Sequence, residues 1–147
     1  MKVLVQRVTR AEVRVDGAVV GAIDAGVLVL LGIERGDDLR EARALADKTV
    51  DLRIFADEHG RMNRSVLECG FGALVVSQFT LAASTRRGRR PSFTAAAEPE
   101  VAKPLYEAYV EQMESRGVRV ATGVFRAMME VESVNDGPVT LLLDPVA

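Results

Sequence analysis

Residues 73–77 read Ala-Leu-Val-Val-Ser, an apolar run with no polar alternation before its last residue. A strand of that kind is covered on both faces, so the rest of the chain has to build a layer on each side of it. Upstream, 3–8, 12–15, 19–23 and 27–33 read as four strands broken by turn signals at Asp16-Gly17 and Asp24-Ala25-Gly26, which suggests a meander. Segments 52–55, 118–121, 129–134 and 139–143 complete the strands, with Asp57-Glu58-His59-Gly60 as the turn after the first of these. Two helices are predicted. Asp38 stands three residues before Glu41, as in a capping box, and Ala42, Leu45, Ala46, Thr49 and Val50 recur with helical period, giving a helix over 38–51. Leu105, Tyr109 and Met113, flanked by Tyr106 and Val110, mark the second, which Gly117 closes. Pro99 suits its start, but Pro104 would then remove an internal hydrogen bond, so the spacing predicts a kink or a start near Lys103. The sum is an α/β fold, a β-rich αβ sandwich with two main helices.

At 147 residues, with no repeat, linker or low-complexity tract, the chain reads as a single domain over 1–147. No apolar stretch approaches the roughly 18 residues of a membrane span, and Met1-Lys2-Val3-Leu4 enters a strand pattern with no signal core, so no membrane and a cytoplasmic location are expected. The one cysteine, Cys69, excludes an internal disulfide and is read as a packed or loop residue. A net charge of −2 is not the basic excess of a protein that holds nucleic acid along its length. Any RNA contact must be local. Arg86, Arg87, Arg89 and Arg90 form the one concentrated basic segment, read either as a solvated loop or as a phosphate contact.

A Ser-His-Asp or Cys-His hydrolase needs an imidazole against its nucleophile, and this chain has only His59, placed in a turn and assigned to solvent. No clustered His, Cys and carboxylate ligands stand at zinc spacing, so neither metal nor other cofactor is expected. An esterase built from this chain must work mainly by positioning.

Two polar strings at strand ends carry the remaining signal: Ser77-Gln78-Phe79-Thr80-Leu81, and Asn135-Asp136-Gly137-Pro138-Val139-Thr140. Taken alone, the second also fits an ordinary turn before an edge strand, with Asp136 as its cap. The two together, with Val5-Gln6-Arg7-Val8, Leu30-Leu31-Gly32-Ile33, Leu52-Arg53-Ile54-Phe55, Met62-Asn63, Arg90-Pro91-Ser92-Phe93 and Gly123-Val124-Phe125, resemble the D-aminoacyl-tRNA deacylases over nearly the whole chain.

That resemblance implies a homodimer with a barrel-like sheet, acting on D-aminoacyl-tRNA and on glycyl-tRNA mischarged on tRNA(Ala). It implies backbone N–H groups of Phe79 and Thr80 as oxyanion donors, with the tRNA's own ribose 2′-hydroxyl activating water. The Thr80 hydroxyl orients rather than attacks, since no base stands beside it. Ser77, Gln78, Phe125 and Met129 would line the substrate pocket, and Phe79 is also read as partly core. Gly137 and Pro138, joined by a cis bond, would enter the partner's site and exclude L side chains. Arg7 resembles a position that braces this dipeptide, with a surface ion pair as the alternative. One departure stands out, because Arg126 occupies a position where the family often has a small residue; it points either inward to the pocket or outward as a solvated strand residue. Of Met128 and Met129, one should pack inward. A non-catalytic module that binds the tRNA 3′ end is the alternative function.

Overall fold

The chain opens on one long strand. β1 (Lys2–Val15) buries Val3, Val5, Val8, Ala11 and Val13, so its inward positions are spaced by two, then three, three and two. Each step of three falls where the pairing register slips, and a bulge absorbs the extra residue without ending the strand. That is why the period-two pattern breaks near Thr9 although the strand continues. β2 (Ala18–Ile23) pairs with the second half of β1 and β3 (Gly26–Gly32) with its first half. The expected meander is therefore corrected: β2 and β3 lie end to end on one edge of β1, like one antiparallel partner interrupted at Asp24-Ala25. The computed structural model describes residues 1–145.

α1 (Leu39–Asp51) begins where the capping pattern places it, with the Glu41 amide donating to Asp38 Oδ1 at 2.8 Å, and buries the five predicted residues. The strand expected at 52–55 shrinks to β4 (Phe55–Ala56), which pairs with β5 (Met62–Arg64). The turn between them is closed by Asp57 Oδ1, which accepts from the His59 and Arg61 amides at 2.8 and 3.0 Å. β6 (Gly72–Ser77) runs parallel to β3, and then α2 (Pro99–Ser115) leads to β7 (Arg119–Thr122), parallel to β6 on its other side. α2 starts at Pro99, not near Lys103, and carries Pro104 inside it. Only the Glu100 carbonyl loses its partner amide, and this stretch of the helix is exposed to water that can replace it. The far end closes on Gly117 (φ +100°), with Val118 N donating to Met113 O and Gly117 N to Glu114 O, the paired bonds of a Schellman cap.

β8 (Glu130–Leu142) pairs with the remaining edge of β1 along nearly its whole length. The two strands predicted there are thus one strand with an outpocketing, because both flanks of Asn135-Asp136-Gly137-Pro138 bond the same partner. The sheet runs β2-β1-β3-β6-β7 with β8 on β1, and it curls until its ends nearly meet. At Gly21 a Cβ would stand 2.3 Å from the Thr122 carbonyl oxygen, so only glycine lets β2 come this close to β7.

The barrel-like curl gives β6 its two covered faces. Ala73 and Val75 pack with Val27, Val29 and Leu31 under the two helices, whereas Leu74 and Val76 face the barrel interior with Val8, Val13 and Leu28. Between the helices, the fully buried Tyr109 hydroxyl lies 2.6 Å from Thr49 Oγ1, which in turn donates to Leu45 O at 2.8 Å. The Tyr109 hydroxyl therefore donates to Thr49, and burial pushes its pKa up. Tyr109→Phe leaves Thr49 with its carbonyl partner and removes one net hydrogen bond, so urea denaturation should show a loss of about 1 kcal/mol with unchanged cooperativity.

Candidate active site

β6 delivers Ser77 to the end of the sheet, and the Gln78 amide is the last to bond across to β3, donating to Leu31 O at 2.8 Å. The chain then tightens into a 3-10 turn, Phe79–Ala82. Leu81 N and Ala83 N bond back to Gln78 O and Thr80 O, while the amides of Phe79 and Thr80, first in the turn, reach no backbone carbonyl among the described residues. The Thr80 hydroxyl accepts from the Gln78 side-chain amide, and no basic side chain is hydrogen-bonded to it among the described residues.

Ser77, Gln78 and Phe79 line a cleft of about 620 Å³ together with Phe125 and Met129, whereas Thr80 is not part of its lining. Ile33, Val76, Ala102 and Val131 complete its apolar walls. Phe79 is a correction to the partly-core expectation, since it is 56% exposed and instead meets Phe93 edge to face, with ring centroids 5.2 Å apart. Met129 is half-buried against the barrel interior and Met128 stands 91% exposed, so the expected alternation of the two holds.

Tyr106 of α2 fixes the back wall. Its hydroxyl donates to the Val75 carbonyl at 2.8 Å, two residues before Ser77, and its ring packs on Phe125 at 5.8 Å. The same carbonyl accepts from Gly123 N at 3.3 Å, where β7 leaves the sheet. One oxygen thus holds both walls at the point where they diverge. Nothing in the one-dimensional pattern separates Tyr106 from an ordinary core residue, so sequence reasoning gave it no role in the site.

Arg126 lines the cleft, and the strand-residue alternative is corrected. It occupies a turn closed by Ala127 N donating to Val124 O, with φ +70°, and stands exposed on the cleft rim. A left-handed backbone is what makes a small residue natural at this position, and a side chain there costs on the order of 1 kcal/mol. The other cation on the cleft, Arg35, is paired with Glu98 at 3.1 Å.

Gly137 and Pro138 are not at this cleft within one chain. They form the outpocketing of β8 opposite Arg7, with the Gly137-Pro138 bond cis and Gly137 at φ +136°. Asn135, not Asp136, closes the loop: its Oδ1 accepts from Val139 N at 2.8 Å and its Nδ2 donates to Thr140 Oγ1 at 2.9 Å. Arg7 braces it from β1, donating through Nε to Asp136 O at 3.0 Å and through Nη1 to Ile54 O at 2.7 Å, while the Asp136 carboxylate lies 3.5 Å away. Both readings of Arg7 therefore hold.

Arg86, Arg87, Arg89 and Arg90 are exposed, in a loop whose base is pinned by reciprocal backbone bonds between Ser84 and Ser92. His59 is exposed in its turn, and Cys69 is half-buried against the core. Among the described residues no three His, Cys, Asp or Glu side chains gather in a way that would hold a metal ion, and no helix is long and apolar enough to cross a membrane.

Residues 4–144 match the family model for D-Tyr-tRNA(Tyr) deacylase. The chain belongs to that family. It is 60% identical over 144 residues to the D-aminoacyl-tRNA deacylase of Anaeromyxobacter dehalogenans, covering 98% of this chain and 97% of that one. The D-aminoacyl-tRNA deacylase of Roseiflexus castenholzii is 58% identical, covering 98% and 92%. A solved structure described as the c-Myc DNA unwinding element binding protein superposes with a TM-score of 0.93 at 40% identity, over the full length of both chains.

Burial pushes the Tyr106 pKa up to about 12 from an ordinary 10. The neutral phenol is thus favoured in the folded state. Its contribution to stability is complete below pH 10, and is lost as pH rises from 10 through about 12. Denaturation midpoints measured from pH 9 to 12 should fall across that window, and Tyr106→Phe should make the fall shallower.

Proposed function

We propose that this protein hydrolyses the ester between a D-amino acid and tRNA, and glycyl-tRNA mischarged on tRNA(Ala), releasing free amino acid and tRNA. The single observation that carries the reading is the pair of amides at Phe79 and Thr80 that reach no backbone carbonyl among the described residues, at the start of a tight turn whose first residue, Phe79, lines an apolar cleft. Such donors stabilise an oxyanion at no cost of reorganisation during reaction. An aminoacyl ester needs little more, because it is activated relative to an amide and its vicinal ribose hydroxyl can assist water. The Thr80 hydroxyl, held by Gln78, orients; Ser77 and Gln78 hydrogen-bond the terminal adenosine, and Phe125 and Met129 form the floor.

Chiral selection is assigned to Gly137 and Pro138 acting across a homodimer. Two observations support the dimer. β8 pairs through one edge only among the described residues, and it exposes Val131, Val134, Leu141 and Leu142 around the outpocketing. In the partner's cleft the backbone carbonyls of this dipeptide hold the substrate amino group, and its rigid backbone occupies the space an L side chain would need. Glycine has no side chain to exclude and passes the filter. Arg86, Arg87, Arg89 and Arg90 meet the tRNA backbone.

The test is deacylation of D-tyrosyl-tRNA, L-tyrosyl-tRNA and glycyl-tRNA(Ala) by purified protein. Release of the D-tyrosyl and glycyl substrates with the L form untouched is expected. Gly137→Ala places a Cβ 2.8 Å from Val139 Cγ2 and 3.2 Å from Arg7 Nη2 at a φ of +136°, and should cut D-tyrosyl release at least tenfold. Thr80→Ala keeps the amide and should retain activity within about tenfold, a loss of about 1.4 kcal/mol at most. Binding of tRNA without release of any substrate would instead identify a non-catalytic 3′-end module.

A further inference from the structure

On the other side of the 3-10 turn from the cleft lies a second, smaller depression of about 350 Å³ that has no part in the chemistry above. Lys2 enters it from β1, Glu34 from the chain after β3, and Ser84, Thr85 and Arg86 from the segment that follows the turn. Its character is opposite to that of the cleft, with two cations and two hydroxyls in place of apolar walls. The one acid on its lining is already engaged, since Glu34 Oε2 accepts from the Met1 ammonium at 3.0 Å. Neither Lys2 nor Arg86 is in an ion pair among the described residues.

The base of the arginine loop sets Arg86 apart from its neighbours. Ser84 N and O bond Ser92 O and N at 2.8 and 2.9 Å, so the loop is pinched shut two residues before Arg86. Arg86 lies just inside this pinch and lines the depression, while Arg87, Arg89 and Arg90, farther along the loop, do not. The depression is also in line with the cleft. Gln78 and Phe79 border the one and Leu81, Ala82 and Ala83 the other, so a 3-10 turn about 8 Å long separates them. A polymer that leaves the cleft over this turn would meet the depression next.

We propose that Lys2, Ser84, Thr85 and Arg86 bind a backbone phosphate of the single-stranded tRNA 3′ end, one or two nucleotides before the terminal residue. The inference rests on the deacylase reading above and adds a route for the RNA and a residue, Lys2, from outside the arginine run. The guanidinium fork meets two phosphate oxygens, the ammonium adds a point charge, and the hydroxyls donate to the remainder. The contact positions the RNA without reading its sequence.

The experiment compares D-tyrosyl-tRNA with the minimal ester D-tyrosyl-adenosine, which has no upstream phosphate, on the full chain. Lys2→Gln, Arg86→Gln and the double variant are measured beside Arg119→Gln, an exposed cation on β7 away from this path. The double variant should lower the ratio of kcat/KM for tRNA to that for the adenosine ester at least tenfold, through KM. It should also flatten the salt dependence of log kcat/KM by about 0.7 per cation removed. Arg119→Gln should change neither. An unchanged ratio in the double variant overturns the proposal, and so does an equal loss on both substrates, which reports damage to the cleft. If the wild-type chain cleaves neither ester, the deacylase reading fails by itself. The affinity for uncharged tRNA then decides the subsite: at least a tenfold weaker Kd in the double variant supports it, and an unaltered Kd overturns it.

Discussion

β1 is bonded along both edges for most of its length, and almost every other feature of the molecule is placed by that fact. One edge aligns β2 and β3 end to end, so that β3 can carry β6 and β7 away in parallel. The other edge takes β8. Because the same strand serves both ladders, its bulges curl the whole sheet, bring β2 to within a glycine's reach of β7, and leave an interior just wide enough for valines and leucines. The cleft and the outpocketing of β8 are two irregularities of this one frame. The cleft opens where β6 and β7 part company, and the outpocketing opens where four residues of β8 stand across from the single residue Arg7.

The proposed chemistry asks little of side chains and much of backbone placement. An esterase without an imidazole beside its nucleophile has to hold its oxyanion donors still before substrate arrives. Here they are held from behind. The Val75 carbonyl is gripped by Tyr106 and by Gly123, so the strand that ends in Ser77 cannot drift relative to the segment that carries Phe125. Phe93, from the far side of the arginine loop, leans on Phe79 and ties that loop to the turn. Rigidity of the turn and anchorage of the arginine loop are thus joined through one aromatic pair.

Much of this was legible in the sequence. The doubly buried β6, the Asp38 cap and its helix, and the Asp57 turn follow from patterns that local physics enforces, whereas the grouping of Ser77, Gln78, Phe79, Phe125 and Met129 was implied only by the resemblance to the deacylases. The parts that were not legible depend on partners remote in sequence. A bulged strand looks like two strands, because an inward step of three mimics a break; hence β1 and β8 were each divided. Pro104 appeared to forbid a helix that exposure to water tolerates. Phe79 looked like a core residue because nothing in its own neighbourhood announces the Phe93 ring. Arg126 was weighed as a strand residue because a left-handed turn is visible only when the backbone is in hand. Tyr106 was invisible as a site residue for a similar reason, since its hydroxyl's acceptor is 31 positions away.

The outpocketing of β8 is tied off by its own members: Asn135 bonds Val139 and Thr140, while from β1 Arg7 reaches in to Asp136 and Gln6 to Thr140. Its shape is therefore set by six consecutive residues and the two side chains, Gln6 and Arg7, that meet them from β1. Evolution can treat such a segment as a cassette. The exposed flanks of β8 are free to drift under pressures of solubility or association, while the loop they carry keeps its form, and transplanting it between relatives would require moving a short peptide together with the Gln6-Arg7 pair.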